Sequence, residues 1–317
     1  MFISCIIGLS SFAIMILFVI FSQSCLVETQ NALNMFLNSV FPTMFPFYVL
    51  TSVFLSSALL PKISKVFTPI ARLYKLPSEA VSAILLGMLC GFPVGAKVTC
   101  DLYQNNLITK KQASLLASFT NNAGPVYVIT VIGGIHLNNK FLGFIIWLCL
   151  IFSSLLSGLI LCKLTLESKP AKKQKNTRTE NKIDIASSVM SGLNTAMYVG
   201  AVIIFFASIT SLLKKIPFLS GTLYTIIYSI TELTGGLNAL SKLLLNPCAK
   251  TPSMLNLAII SAVASWSGFC VHIQVCGILK SCNLKLKYYF FVKLLQPLMA
   301  FIFMLLISNF FKIVSFS

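Results

Sequence analysis

The sequence predicts an all-α polytopic membrane protein, an inverted structural repeat with two re-entrant helical hairpins and about six full transmembrane helices. Three observations carry that expectation. The 317-residue chain is 57% apolar with only 10% Asp, Glu, Lys and Arg, whereas about a quarter of a soluble chain is charged. Apolar runs near the roughly 20 residues that cross a hydrocarbon core recur along its whole length. A segment of the first half also aligns without a gap on a segment of the second.

The expected full spans are residues 2–21, 43–60, 112–135, 140–162, 186–213 and 288–311. The first lacks a basic leader and a small-residue cleavage site, so it reads as a retained helix rather than a signal peptide. Residues 62–76, KISKVFTPIARLYKL, alternate apolar positions with cations, as a helix lying in the membrane interface would. The formal charge is +17, yet only Arg72 and Arg178 are arginine. That pattern fits basic cytoplasmic loops and argues against nucleic acid as a partner. Ten cysteines form no C-x-x-C pair and read as packing residues. A proline-containing stretch at 163–184 with seven basic residues separates two membrane halves, and the positive-inside rule puts it in the cytoplasm.

GFPVGAKVTCDLYQNNLITK (91–110) aligns on GFCVHIQVCGILKSCNLKLK (268–287) at a constant offset of 177 residues. Gly91/Gly268, Phe92/Phe269, Val94/Val271, Val98/Val275, Leu102/Leu279, Asn106/Asn283, Leu107/Leu284 and Lys110/Lys287 are identical. Each copy follows an apolar arm, 79–90 or 256–267, too short to span, and Gly91-Phe92-Pro93 is a strong helix break. Residues 79–106 and 256–283 are therefore expected to be hairpins that turn back inside the membrane, where irregular backbone survives only against protein or a wet cavity. Counting crossings from the cytoplasmic linker inverts the second repeat; Lys280, Lys285 and Lys287 then fall outside, against the charge rule.

Polar side chains at membrane depth are costly and so are candidates for function. Lys97 follows the first break, Gln274 takes its place in the second copy, and His272 takes that of Gly95. Amides freed after Gly91 and Gly268, with Phe92 and Pro93 shaping the turn and Lys97 beside it, suit an anionic ligand. The blander readings are a snorkelling Lys97 and a packing His272. SFTNNAGP (118–125) interrupts a spanning run with Thr120, Asn121 and Asn122, the best single site candidate, or else polar glue between helices. Asp101 is placed to pair with Lys97. Glu232 is either a coupling-ion ligand or part of a loop, and Glu79 opens a capped helix start. No nucleophile with a visible base, no H-E-x-x-H and no phosphate-binding loop is present, so an enzyme is the weaker class, and no cofactor or metal is expected.

FPTMFPF (41–47), GFPVGAK (91–97), L-x-T-K (107–110), SFTNNAGP (118–125) and ELTGGLNAL (232–240) resemble the nucleoside-recognition, or Gate-domain, membrane proteins, and within them the sporulation integral membrane proteins of the YlbJ type. The resemblance covers nearly the whole chain. It implies an N-terminal helix at 1–27, a Gate-like repeat at 28–162, the linker at 163–184 and a second Gate-like repeat at 185–317. It further implies a role in spore formation, moving dipicolinic acid from the mother cell across the outer forespore membrane. Partners would be that small anion and the lipid bilayer, with homo-oligomerisation left open. A nucleoside carrier is the first alternative, although the breaks lack a carboxylate pair for ribose hydroxyls; a non-transporting scaffold is the second.

Overall fold

The computed structural model describes residues 2–166, 184–216, 219, 221–245 and 252–315; most of the linker, 167–183, lies outside the described residues. Every regular element among them is helical. In chain order these are α1 (Phe2–Ile20), α2 (Ser22–Met35), a π-turn (Phe36–Val40), α3 (Phe41–Ser56), α4 (Leu59–Val66), α5 (Thr68–Leu73), α6 (Ala80–Cys90), α7 (Val94–Gln104) and α8 (Lys110–Phe119). A π-helix (Tyr127–His136) leads to α9 (Lys140–Thr165), α10 (Ile185–Leu213), α11 (Gly221–Thr231), α12 (Leu233–Leu244), α13 (Met254–Trp266), α14 (Gly268–Ser281) and α15 (Leu286–Ser315).

Four stretches are long and apolar enough to cross a membrane, α9, α10, Met254–Ser281 and Leu286–Ile307, and the number reaches six if each of two bent pairs is one span. The chain turns by 95° between α1 and α2 and by 87° between α3 and α4. The second turn sends α4 and α5 off the line of α3 with Lys62, Lys65 and Arg72 exposed, in keeping with a helix in the interface. The surface is that of a membrane protein, apolar outside with polar groups within. On α15, Leu294, Leu298 and Leu306 face outward, while Tyr289, Lys293 and Gln296 are fully buried.

Three expectations need correction. The run 112–135 does not continue as one helix but stops at Phe119 and resumes beyond a non-helical stretch. Residues 256–283 do not fold back: α13 and α14 together form one span, Met254–Ser281, interrupted at Ser267. The first copy does close as a hairpin, because Gly87 and Gly95 let α6 and α7 touch; a Cβ on Gly87 would lie 3.1 Å from the Gly95 Cα. The same offset puts Ala264 and His272 at the matching positions, and those side chains forbid that approach. The second close-packed pair is instead α11 and α12, where a Cβ on Gly236 would press within 2.7 Å of the Ser229 nitrogen. Glu79 begins α6 without a side-chain cap, contrary to the expected capped start.

The duplication is nonetheless written into the backbone. Gly91 and Gly268 sit at φ 79° and 80°, and Asn106 and Asn283 at φ 56° and 58°. At the end of α7, Asn106 N–H donates to Tyr103 O (3.0 Å) and Leu107 N–H to Leu102 O (3.0 Å); at the end of α14, Asn283 N–H donates to Lys280 O (2.9 Å) and Leu284 N–H to Leu279 O (2.9 Å). These are two copies of one helix-terminating motif: asparagine in the left-handed region, closed by a leucine packing back on a buried leucine. The next helix, α8, opens on a capping box between Thr109 and Gln112, which accounts for the L-x-T-K turn.

Gly91 and Gly268 both face crowded backbone: a Cβ would stand 2.8 Å from Gly124 N at Gly91 and 3.0 Å from Leu233 N at Gly268. Gly91→Ala and Gly268→Ala should each lower stability by about 1–3 kcal/mol through the strained backbone alone. Asn106→Gly and Asn283→Gly should hold or raise it. Thermal unfolding in detergent micelles measures all four.

Candidate functional site

The site grows out of the break after α8. Pro125 has no N–H and Gly124 favours no helix, so the chain between Phe119 and Pro125 loses its regular ladder and must find other partners. Asparagine amides supply them. Asn121 Nδ2 donates to Ala117 O (2.8 Å) and its Oδ1 accepts from Ala96 N–H (2.8 Å). Asn122 Nδ2 donates to Phe119 O (3.0 Å) and Ser154 Oγ (2.9 Å), while its backbone carbonyl accepts from Phe92 N–H (2.8 Å). Ser154 Oγ also donates to Phe119 O. Thr120 Oγ1 donates back to Leu116 O (3.1 Å), and its carbonyl lies in the notch of the α6–α7 crossing. Gly91, Phe92, Pro93, Thr120, Asn121 and Asn122 thus form one buried junction. Its amides at Phe92 and Ala96, expected to be open to an anion, are spent on the second break.

Other expected residues lie apart from this junction or are otherwise engaged. Lys97 is buried, with its amine 2.8 Å from Asp101 Oδ2 and 3.1 Å from Ser191 Oγ of α10. The expected Lys97–Asp101 pair is present, and it neutralises the cation. Gln274 contacts Cys270 Sγ at 3.5 Å. Glu232 caps α12, its carboxylate accepting from Thr234 N–H (2.9 Å) and Gly235 N–H (2.6 Å), and Gly268 packs against that turn. A carboxylate at a helix N-terminus is stabilised there without an ion. Among the described residues, no three His, Cys, Asp or Glu side chains converge as a metal site would require.

The residue at the centre was missed by the sequence reading. Lys293 lies on α15 with no exposed surface, and its amine donates to Asn121 O at 2.6 Å and to Ser265 O at 3.5 Å. One carbonyl comes from the break after α8 and the other from the turn before Ser267, so a single ammonium joins the interrupted helices of both halves. Neither ion pair among the described residues includes Lys293. One turn earlier, Tyr289 Oη sits 2.8 Å from His272 Nδ1. One turn later, Gln296 is fully buried and neither amide atom has a partner. Pro297 removes the N–H that would bond the Lys293 carbonyl. The available signal was a lone cation, with a glutamine and a proline close behind it, inside the expected apolar span 288–311.

Residues 37–138 match the family model described as nucleoside recognition, named Gate. That stretch of the chain is similar to the Gate family. The matched residues run from the π-turn before α3 through the first hairpin and the asparagine break to the π-helix, so they contain the junction but not Lys293. The chain is also similar to the sporulation integral membrane protein YlbJ of Bacillus subtilis (strain 168), at 26% identity over 329 aligned positions covering 90% of this chain and 78% of the relative. No solved structure matches the chain. The family match and this relative bear out the resemblance read from the residues, and with the apolar helices they make the chain a multi-pass membrane protein.

The Lys97–Asp101 pair should behave as structure. Lys97→Met, which strands the carboxylate, should cost about 3–5 kcal/mol, and Lys97→Met with Asp101→Asn should recover most of that. A double-mutant cycle of melting temperatures is the measurement; equal, additive losses would refute the pairing.

Proposed function

We propose that the chain is a secondary transporter of a small organic anion, dipicolinic acid carried from the mother cell toward the forespore, rather than an enzyme. The observation that supports this best is Lys293: a buried ammonium in a spanning helix, held by two carbonyls and no carboxylate. Neutral dipoles stabilise such a charge only in part, so the centre keeps a net attraction for an anion. Its position also suits transport. Broken helices meeting around a fixed site are how many carriers expose one ligand to two sides in turn. Asn121 ties the first hairpin to that centre, and Ser265 ties in the second broken span, so a ligand on Lys293 would act on both halves at once. Similarity to a sporulation protein supports that setting, and dipicolinate, a small planar dianion, fits the charge.

The test is the dipicolinic acid content of mother cell and forespore in a strain lacking the gene, complemented with the intact chain or with Lys293→Met. Acid made but held in the mother cell, and released to the forespore only by the intact chain, is the expected result. Lys293→Met should reduce loading roughly tenfold or more, the worth of one charge-assisted hydrogen bond. Normal loading in the deletion strain would sink the reading and leave nucleoside uptake, then a scaffold role, to be assayed.

A further inference from the structure

Gln296 is the least explained group in the molecule. It lies at the middle of the Leu286–Ile307 window, fully buried, with both its amide oxygen and its amide nitrogen lacking any partner. A primary amide in that position destabilises the fold, because its hydration is lost and nothing replaces it. Leucine or methionine would fill the same space more favourably. Three residues earlier on the same helical face is Lys293, whose amine has three donors. One is engaged at 2.6 Å, a second contact is long at 3.5 Å, and at least one donor remains. Pro297 has no N–H to give the Lys293 carbonyl, so that carbonyl lacks its usual helical partner in this turn.

We propose that Lys293 and Gln296 form a carboxylate-binding subsite, with the ammonium and the Gln296 Nε2–H donating to the two oxygens of one carboxylate group. The inference rests on the anion-transport reading and deepens it by naming the groups that hold the cargo. An ammonium with a neighbouring amide donor is complementary to a carboxylate and poorly complementary to an uncharged ribose. The amide nitrogen adds direction to a point charge that has little of its own. Gln296 Oε1 is left to accept from a donor on the ligand or from a water carried with it.

Binding of pyridine-2,6-dicarboxylate, benzoate and uridine to the purified full-length chain in detergent micelles tests this, by calorimetry and by the shift of the melting temperature with ligand. The intact chain should bind both carboxylates and not uridine. Gln296→Leu should bind them roughly tenfold more weakly while the ligand-free protein melts higher, because an unpartnered amide has gone. Gln296→Glu should abolish binding by giving Lys293 an internal counter-ion, with the protein still folded. A merely structural glutamine gives the opposite sign: Gln296→Leu would melt lower and bind as before, and that result overturns the subsite while leaving anion transport standing. If the intact chain binds neither carboxylate, the transport reading fails and the subsite with it.

Discussion

The contact between the Lys293 ammonium and the Asn121 carbonyl is what the rest of the site depends on. Each interrupted helix leaves carbonyls without their usual N–H partners, and in hydrocarbon those groups have no water to turn to. A protonated amine can serve several of them together, and it serves one from each half of the molecule. Its own desolvation is severe, so the arrangement holds only because the carbonyls converge on it. Cation and breaks each make the other tolerable, and neither would remain buried alone.

Around that contact the two irregular segments of the first half complete one another. The hairpin tip offers N–H groups at Phe92 and Ala96, and the asparagine break offers oxygens at Asn122 and Asn121. The crossing of Gly87 with Gly95 brings them within reach. Such a network, once fully paired, resists local opening more than its separate bonds suggest. The junction is therefore the rigid wall of this centre, and the α15 face is the less satisfied part of it.

Much of this was legible in the sequence, for identifiable reasons. The duplicated Gly-Phe and Asn-Leu positions mark left-handed backbone and its hydrophobic closure, local demands that few residue types meet. The asparagine break declared itself through Gly124 and Pro125. Less was legible where geometry between elements decides. Arms of similar composition close as a hairpin in one copy and continue as a broken span in the other, and the difference lies in two small positions, Gly87 and Gly95, whose counterparts are Ala264 and His272. Whether Lys97 binds a ligand or a neighbour depended on where α10 carries Ser191, which no local pattern reveals. Lys293 escaped notice because an apolar window hides one cation in its average.

Charge accounting at membrane depth then separates the two halves. In the first copy Lys97 has Asp101 four residues on; in the second the same positions hold Gln274 and Ile278, so that ion pair was either gained on one side or lost on the other. Glu232 has its charge directed at the N-terminus of α12. What remains uncompensated in the buried centre is Lys293, contributed by the second half and bound to the first. A repeat protein with mirror-like halves would present two equivalent sites; among the described residues, this chain instead places the fully buried ammonium of Lys293 on one helix face, beside the unpartnered amide of Gln296. A polar ligand placed there meets both halves through one side chain, so its arrival alters the balance between the two broken spans, the condition a carrier must meet for binding to drive exchange between its two faces.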